Sequence, residues 1–244
     1  MPPPDENTWI NIAEDNFPNC LGALGGKHIR VTMSFKNGSK YFNYKKYFSV
    51  VLLATVDANY CFTIIDVGSY GSTGDASAFR NSAMGCRLSE GALRLPLPKP
   101  LPGTAAPSMP YVFVGDDVFG LAENIMRPYP GSQRAIEKRV FNYRLSRARR
   151  MVECTFGILS NKCCVFHTSI QLEPDFVDII IKACCVLHNF VRLRDRYNYQ
   201  DTLTDDIPDI DWATVRGPTG GMRVRDQFAN YFMSPDGVIP WQLN

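Results

Sequence analysis

Polar and apolar residues alternate over residues 27–35, KHIRVTMSF, with the period of a strand that buries one face. Two apolar runs follow, FSVVLLATV (48–56) and YCFTIIDVG (60–68). Asp57, Ala58 and Asn59 supply turn chemistry between them, so the three segments predict an antiparallel meander. GSYGSTGD (68–75) is a turn, and ASAFRNSAM (76–84) predicts a helix that Asp75 is placed to cap. Residues 111–114, YVFV, are wholly apolar and predict a short strand buried on both faces, ending at Gly115-Asp116-Asp117.

Helical sequence fills residues 133–160, QRAIEKRVFNYRLSRARRMVECTFGILS, with an interruption expected near Asn142. A second helix is predicted at 174–193, PDFVDIIIKACCVLHNFVRL. Pro174 suits its first turn, and the segment is apolar on most sides, so burial is expected. RLPLPKPLPGTAAPSMP (94–110) holds too many prolines for a helix or a central strand and reads as a surface excursion, either a spacer or a docking segment. The acidic DTLTDDIPDIDW (201–212) and then GPTGG (217–221) predict a flexible link to a final amphipathic segment, VRDQFANYF (224–232). This order predicts an α/β fold, a ribonuclease-H-like mixed sheet with helices on both faces. Its expected organisation is a short entry segment (1–20), one domain (21–194) containing the Pro-rich excursion, and a linker with tail (195–244).

Composition changes little. A chain of 244 residues, 45% hydrophobic, can bury one sizeable core. Lys and Arg exceed Asp and Glu only by 26 to 24, so net charge identifies no partner. Arginines are nevertheless crowded at 144, 147, 149 and 150. No apolar run approaches the roughly 20 residues of a membrane span, and the N-terminus lacks the basic and apolar regions of a secretion signal. The nucleus, the cytoplasm or both are the expected location. Eight cysteines include the pairs 163/164 and 184/185 but no C-x-x-C, which disfavours a zinc ribbon and predicts mostly reduced core thiols. His188, on a largely apolar helix, is expected to be a hydrogen-bonded core histidine.

Several motifs occur in one order along the chain: FPNCLGALGGKHI, ATVDANYCFTIIDVGSYGSTGDASAF, YVFVGDDVFGL, NIMRPYPG, FNYRLSRARRMVECTFGIL and CCVLHNF. In these the chain resembles the Harbinger-type (PIF/Harbinger) DDE transposases and the nucleases domesticated from them. The resemblance implies a metal-dependent endonuclease acting on DNA phosphodiesters, with two aspartates and one glutamate holding Mg²⁺ or Mn²⁺. The second aspartate falls on Asp116 and the glutamate on Glu153. The first belongs to the pattern G-x-I-D-G-x-H, which here is Gly22 to His28 with Gly25 in the aspartate's place. Glycine has no ligating side chain, so a weakened or inactive enzyme is expected, and a non-catalytic DNA- or protein-binding remnant is the alternative. Asp66 and Asp75 are candidate substitutes, and Asp75 is carried as a further metal ligand. Arg147, Arg150 and Lys27 are the candidate contacts to DNA phosphate. The family also implies a Myb-like partner protein. Its members usually place a helical DNA-binding region before the core, which begins early here, so sequence-specific recognition of DNA ends is not expected.

Overall fold

The computed structural model describes residues 17–32, 38–105, 107–131, 135–195, 217–239 and 242. The acidic link at 201–212, residues 33–35 of the first predicted strand and residues 133–134 of the first long helix lie outside them. A five-stranded mixed sheet has the order β3-β2-β1-β6-β7, with β1 Cys20–Arg30, β2 Ser49–Val56, β3 Phe62–Tyr70, β6 Val112–Val114 and β7 Ile125–Met126. The helices are α1 Gly38–Tyr41, α2 Asp75–Asn81, α3 Ala83–Ser89, α4 Ile136–Lys162, α5 Pro174–Arg194 and α6 Thr219–Phe232. Among the described residues no helix is long and apolar enough to cross a membrane. The chain divides into two compact units, the first from residues 24–93 and 151–195, the second from 17–23, 94–150 and 217–242.

In the first unit β2 is buried along its whole length. It has a strand on each edge and an apolar sequence that offers no solvent face. β3 runs antiparallel to it, with Leu53 opposite Asp66 and Val56 opposite Phe62. The predicted turn is present: the Asp57 carboxylate accepts from the backbone N–H of Asn59 at 2.9 Å and of Cys61 at 2.8 Å. The helix expected at 76–84 is two short ones. Ser82 breaks it in an extended conformation, accepting from the Gly85 N–H at 3.0 Å and donating to the Phe79 carbonyl at 2.7 Å. Gly74, not Asp75, occupies the cap of α2, and no side chain bonds there.

The helix α5 docks on the β2–β3 hairpin through polar groups at its C-terminal half. Asn189 accepts from the Phe62 N–H and donates to the Phe62 carbonyl, both at 2.8 Å. His188 Nε2 donates to the Tyr60 carbonyl at 2.7 Å, as a core histidine should. The Arg192 guanidinium lies 5.1 Å from the Tyr60 ring centroid. The expectation that α5 is buried is corrected. Only Val177, Ile181, Cys185, His188 and Arg192 are buried, because one sheet face receives only one stripe of a helix.

In the second unit the first residues of β1 pair in parallel with β6, Cys20 opposite Val112 and Ala23 opposite Val114. β1 therefore begins at Cys20 rather than at residue 27. The strand β6 is fully buried and parallel to β7. The Pro-rich excursion holds a small ladder that its prolines had argued against, β4 Lys99–Pro100 antiparallel to β5 Ser108–Met109. Asn19 anchors it by donating to the carbonyls of Lys99 and Met109, each at 3.1 Å. α4 runs unbroken through Asn142, whose amide pairs with both backbone groups of Tyr129 and leaves the helix ladder intact.

Phe17, Phe141, Phe228 and Phe232 form an aromatic core, with ring centroids 5.2 to 6.1 Å apart. Two buried arginines close it. Arg144 stacks 3.9 Å above Phe232 and donates to the Gly237 carbonyl, and Arg225 stacks 4.0 Å above Tyr129 and donates to the Pro128 carbonyl. The predicted GPTGG link is partly helix, since α6 begins at Thr219. A Cβ at Gly221 would lie 2.9 Å from the Ala122 backbone, so glycine is what admits the helix there.

Replacing Asn189 by Ala strips two backbone groups of partners and should cost about 2 kcal/mol in urea unfolding. A loss below roughly 0.5 kcal/mol, the size of an ordinary surface change, would contradict this docking role.

Candidate functional site

From Leu24 onward β1 lies in the first unit, and its successive residues face opposite sides. A Cβ at Gly25 would lie 2.9 and 3.2 Å from the two methyls of Val152 on α4 and 3.6 Å from Phe156. Lys27, two positions on, holds its Nζ 6.0 Å from the Phe156 ring centroid. That side of the strand is covered by the helix that carries Glu153. The other side meets α2: a Cβ at Gly26 would lie 2.5 Å from the Asp75 carboxylate. His28, also on that side, shares a 2.9 Å hydrogen bond through Nδ1 with the Ser49 hydroxyl.

Asp75 therefore approaches β1 from the side away from Val152 and does not replace a side chain missing at Gly25. Asp66 sits on β3, two strands from β1 and so roughly 10 Å across the sheet. Its charge acts on Asp178 of α5 instead.

The Asp75 side is an electrostatic cluster. Burial pushes the Asp75 carboxyl above its ordinary range, with His28 and Lys45 pulling the other way. One of its oxygens is buried with no hydrogen-bond partner. Burial holds His28 below its usual value, opposed by Asp75 and helped by Lys45. Lys27, on the other side of the strand, is lowered by burial and then by Lys45. The Ser49 hydroxyl already accepts from the Asn43 amide at 2.9 Å, so its own hydrogen can go to a neutral His28 ring.

In the second unit Asp116 follows the last residues of β6. One carboxylate oxygen accepts from the Val118 N–H at 3.1 Å and the other lies 3.8 Å from Arg149. Arg127, buried beneath this turn, donates to the Asp117 carbonyl at 3.3 Å. The crowded arginines separate by role. Arg144 is buried on Phe232, Arg149 faces Asp116, Arg150 is half-buried and Arg147 is exposed. Glu153 is exposed on α4, one turn after Arg149.

A pair of divalent ions needs several converging oxygens. Among the described residues no group of three or more His, Cys, Asp or Glu side chains is placed to hold a metal. Val152 occupies the space a side chain at Gly25 would need, and glycine itself offers no ligand there. These residues do not fit a complete two-metal centre. All eight cysteines are free, three of them buried, fewer than expected for the core. Sequence reasoning missed Val152, for which periodicity holds no signal. It also missed the Arg149–Asp116 pair, although Arg149 stands in the arginine-rich stretch.

A carboxyl whose folded pKa lies above its unfolded value costs stability wherever it is ionised in both states. The cost fades as pH falls through the folded pKa toward 3.8. Asp75→Asn should therefore raise the urea midpoint at pH 7, with the gain gone near pH 3.5. A gain that persists at low pH would show that ionisation is not its source.

Comparison with known proteins agrees with these motifs. Residues 24–189 match the family described as DDE superfamily endonuclease. Protein ALP1-like from Arabidopsis thaliana is 29% identical over 148 residues, 60% of this chain and 36% of that protein. The chain thus spans about a third of the length of that curated relative. No solved structure matches. With its mixed sheet and helices of ribonuclease-H type, the chain belongs to the DDE superfamily endonucleases.

Proposed function

We propose that this chain is a DDE endonuclease-type domain that engages DNA phosphodiesters and cleaves them weakly or not at all, because Gly25 stands where the family carries its first catalytic aspartate. The observation that carries this reading is the packing at Gly25. Val152 fills the volume of the missing side chain, so the departure is built into the core and not left as a gap. Asp116 and Glu153 are then the two remaining carboxylates of the triad. The family's cations, Mg²⁺ or Mn²⁺, supply water activation and leaving-group stabilisation, and two carboxylates offer too few oxygens to hold them tightly.

Phosphate contact falls to Arg147, exposed on α4, to Arg150 on the same helix and to Lys27, which lies along β1 on the Gly25 side. Such contacts position DNA without reading its sequence. A Myb-like partner supplies recognition in this scheme, and the work is nuclear. Contact with DNA or a partner without cleavage is the form this function takes if no cleavage is detected.

Nicking of supercoiled DNA in Mn²⁺ tests the assignment. Gly25→Asp alone would drive its Cβ into Val152, an overpacking cost of about 1–3 kcal/mol, so the restoring variant also carries Val152→Ala. The unmodified chain should be silent, the double variant active, and the double variant with Glu153→Ala silent again. Nicking by the unmodified chain that survives Glu153→Ala would sink the triad assignment. Replacing Arg147 and Arg150 together by Ala should weaken binding to unrelated DNA sequences alike and lower the salt dependence of log Kd by about 2. An unchanged slope would remove both from the phosphate contacts.

A further inference from the structure

The helix α5 carries a second apolar stripe, opposite the one that docks on the hairpin. Phe176 and Ile179 are each 61% exposed, Phe190 60% and Leu193 65%, and Ala183 and Val186 between them are exposed as well. Steps along the stripe alternate between three and four residues from 176 to 193. That is the 3.5-residue repeat of a coiled-coil seam, running about 26 Å along the helix. A monomer gains nothing from keeping such a stripe in water.

We infer that this face pairs with the same face of a second copy of the chain, the two α5 helices lying antiparallel about a two-fold axis level with Cys184 and Cys185. In that register Phe176 packs on Leu193 of the partner subunit, Ile179 on Phe190 of the partner subunit and Ala183 on Val186 of the partner subunit. Every seam residue finds an apolar counterpart, and the small Ala183 sits beside the axis, where the helices come closest. A two-fold interface demands this self-complementarity of one surface.

Charge selects the direction. Glu173 and Asp175 are exposed at the N-terminal end of α5, whereas the exposed charges at its C-terminal end are Arg194 and the Asp195 it pairs with, Arg192 being buried on Tyr60. Antiparallel helices keep the acidic N-terminal ends of the two copies apart, set Asp175 opposite Arg194 of the partner subunit and oppose the two macrodipoles. Parallel helices would place Asp175 beside Asp175. One helix pair makes an interface at the small end of the range for specific association, so the dimer is concentration-dependent.

Sedimentation velocity on the whole chain, from low to high micromolar concentration, tests this. Ile179→Lys and Phe190→Glu, both at exposed positions, should leave urea unfolding within about 0.5 kcal/mol of the parent. Each should weaken the dimer about tenfold or more. Mixing the two variants should restore it, because in the antiparallel register the introduced lysine meets the introduced glutamate while the native Phe190 meets the native Ile179. A parent chain that remains monomeric throughout, as when the stripe is covered by another segment or serves a different partner, overturns the inference. So does a dimer that either single change leaves intact, or a mixture that stays monomeric.

Discussion

The close approach of α4 to the backbone of β1 at Gly25 is the constraint around which the first unit is organised. Val152 stands where a side chain at Gly25 would begin, and Phe156 lies just beyond. Interiors packed to crystal density hold no spare methyl-sized volume, so the strand's lack of a side chain and the helix's position imply each other. Glu153 follows Val152 on the same helix. The chemistry expected of position 25 and the packing of position 152 are therefore one problem, and a carboxylate at Gly25 requires room as well as charge.

The two sides of β1 carry different physics. Gly25 and Lys27 lie under an apolar helix face, while Gly26 and His28 meet Asp75 and the Ser49 hydroxyl. The second side concentrates ionisable groups that burial holds away from their ordinary values. The arginines divide in the same manner. Arg144, Arg192 and Arg225 are structural cations, stacked on aromatic rings with their charges on backbone carbonyls, whereas Arg147 faces solvent. A near-zero net charge conceals this division.

The helix α5 shows how one segment supports two periodicities. Val177, Ile181, Cys185, His188 and Arg192 trace the stripe that docks on the hairpin, and Phe176 through Leu193 trace a 3.5-residue seam facing outward. Over a helix of 21 residues the two repeats barely diverge, so the segment looks uniformly apolar in one dimension. Only its neighbours distinguish a core face from an exposed one.

The order of residues by itself determined what depends on near neighbours in the chain. The β2–β3 hairpin and its Asp57 turn, the buried VFV strand shortly before Asp116, Pro174 opening α5 and the succession of family motifs all rest on local period, turn chemistry or identity. Tertiary structure decided what depends on partners distant in sequence. The early start of β1 required β6, the ladder in the Pro-rich excursion required Asn19, and the continuity of α4 at Asn142 required the backbone of Tyr129. Val152 over Gly25 and Asp75 over Gly26 belong to the same class. A chain pattern records whether a residue prefers burial. Which atoms fill the space beside it is set only when segments far apart in sequence compete for the same volume.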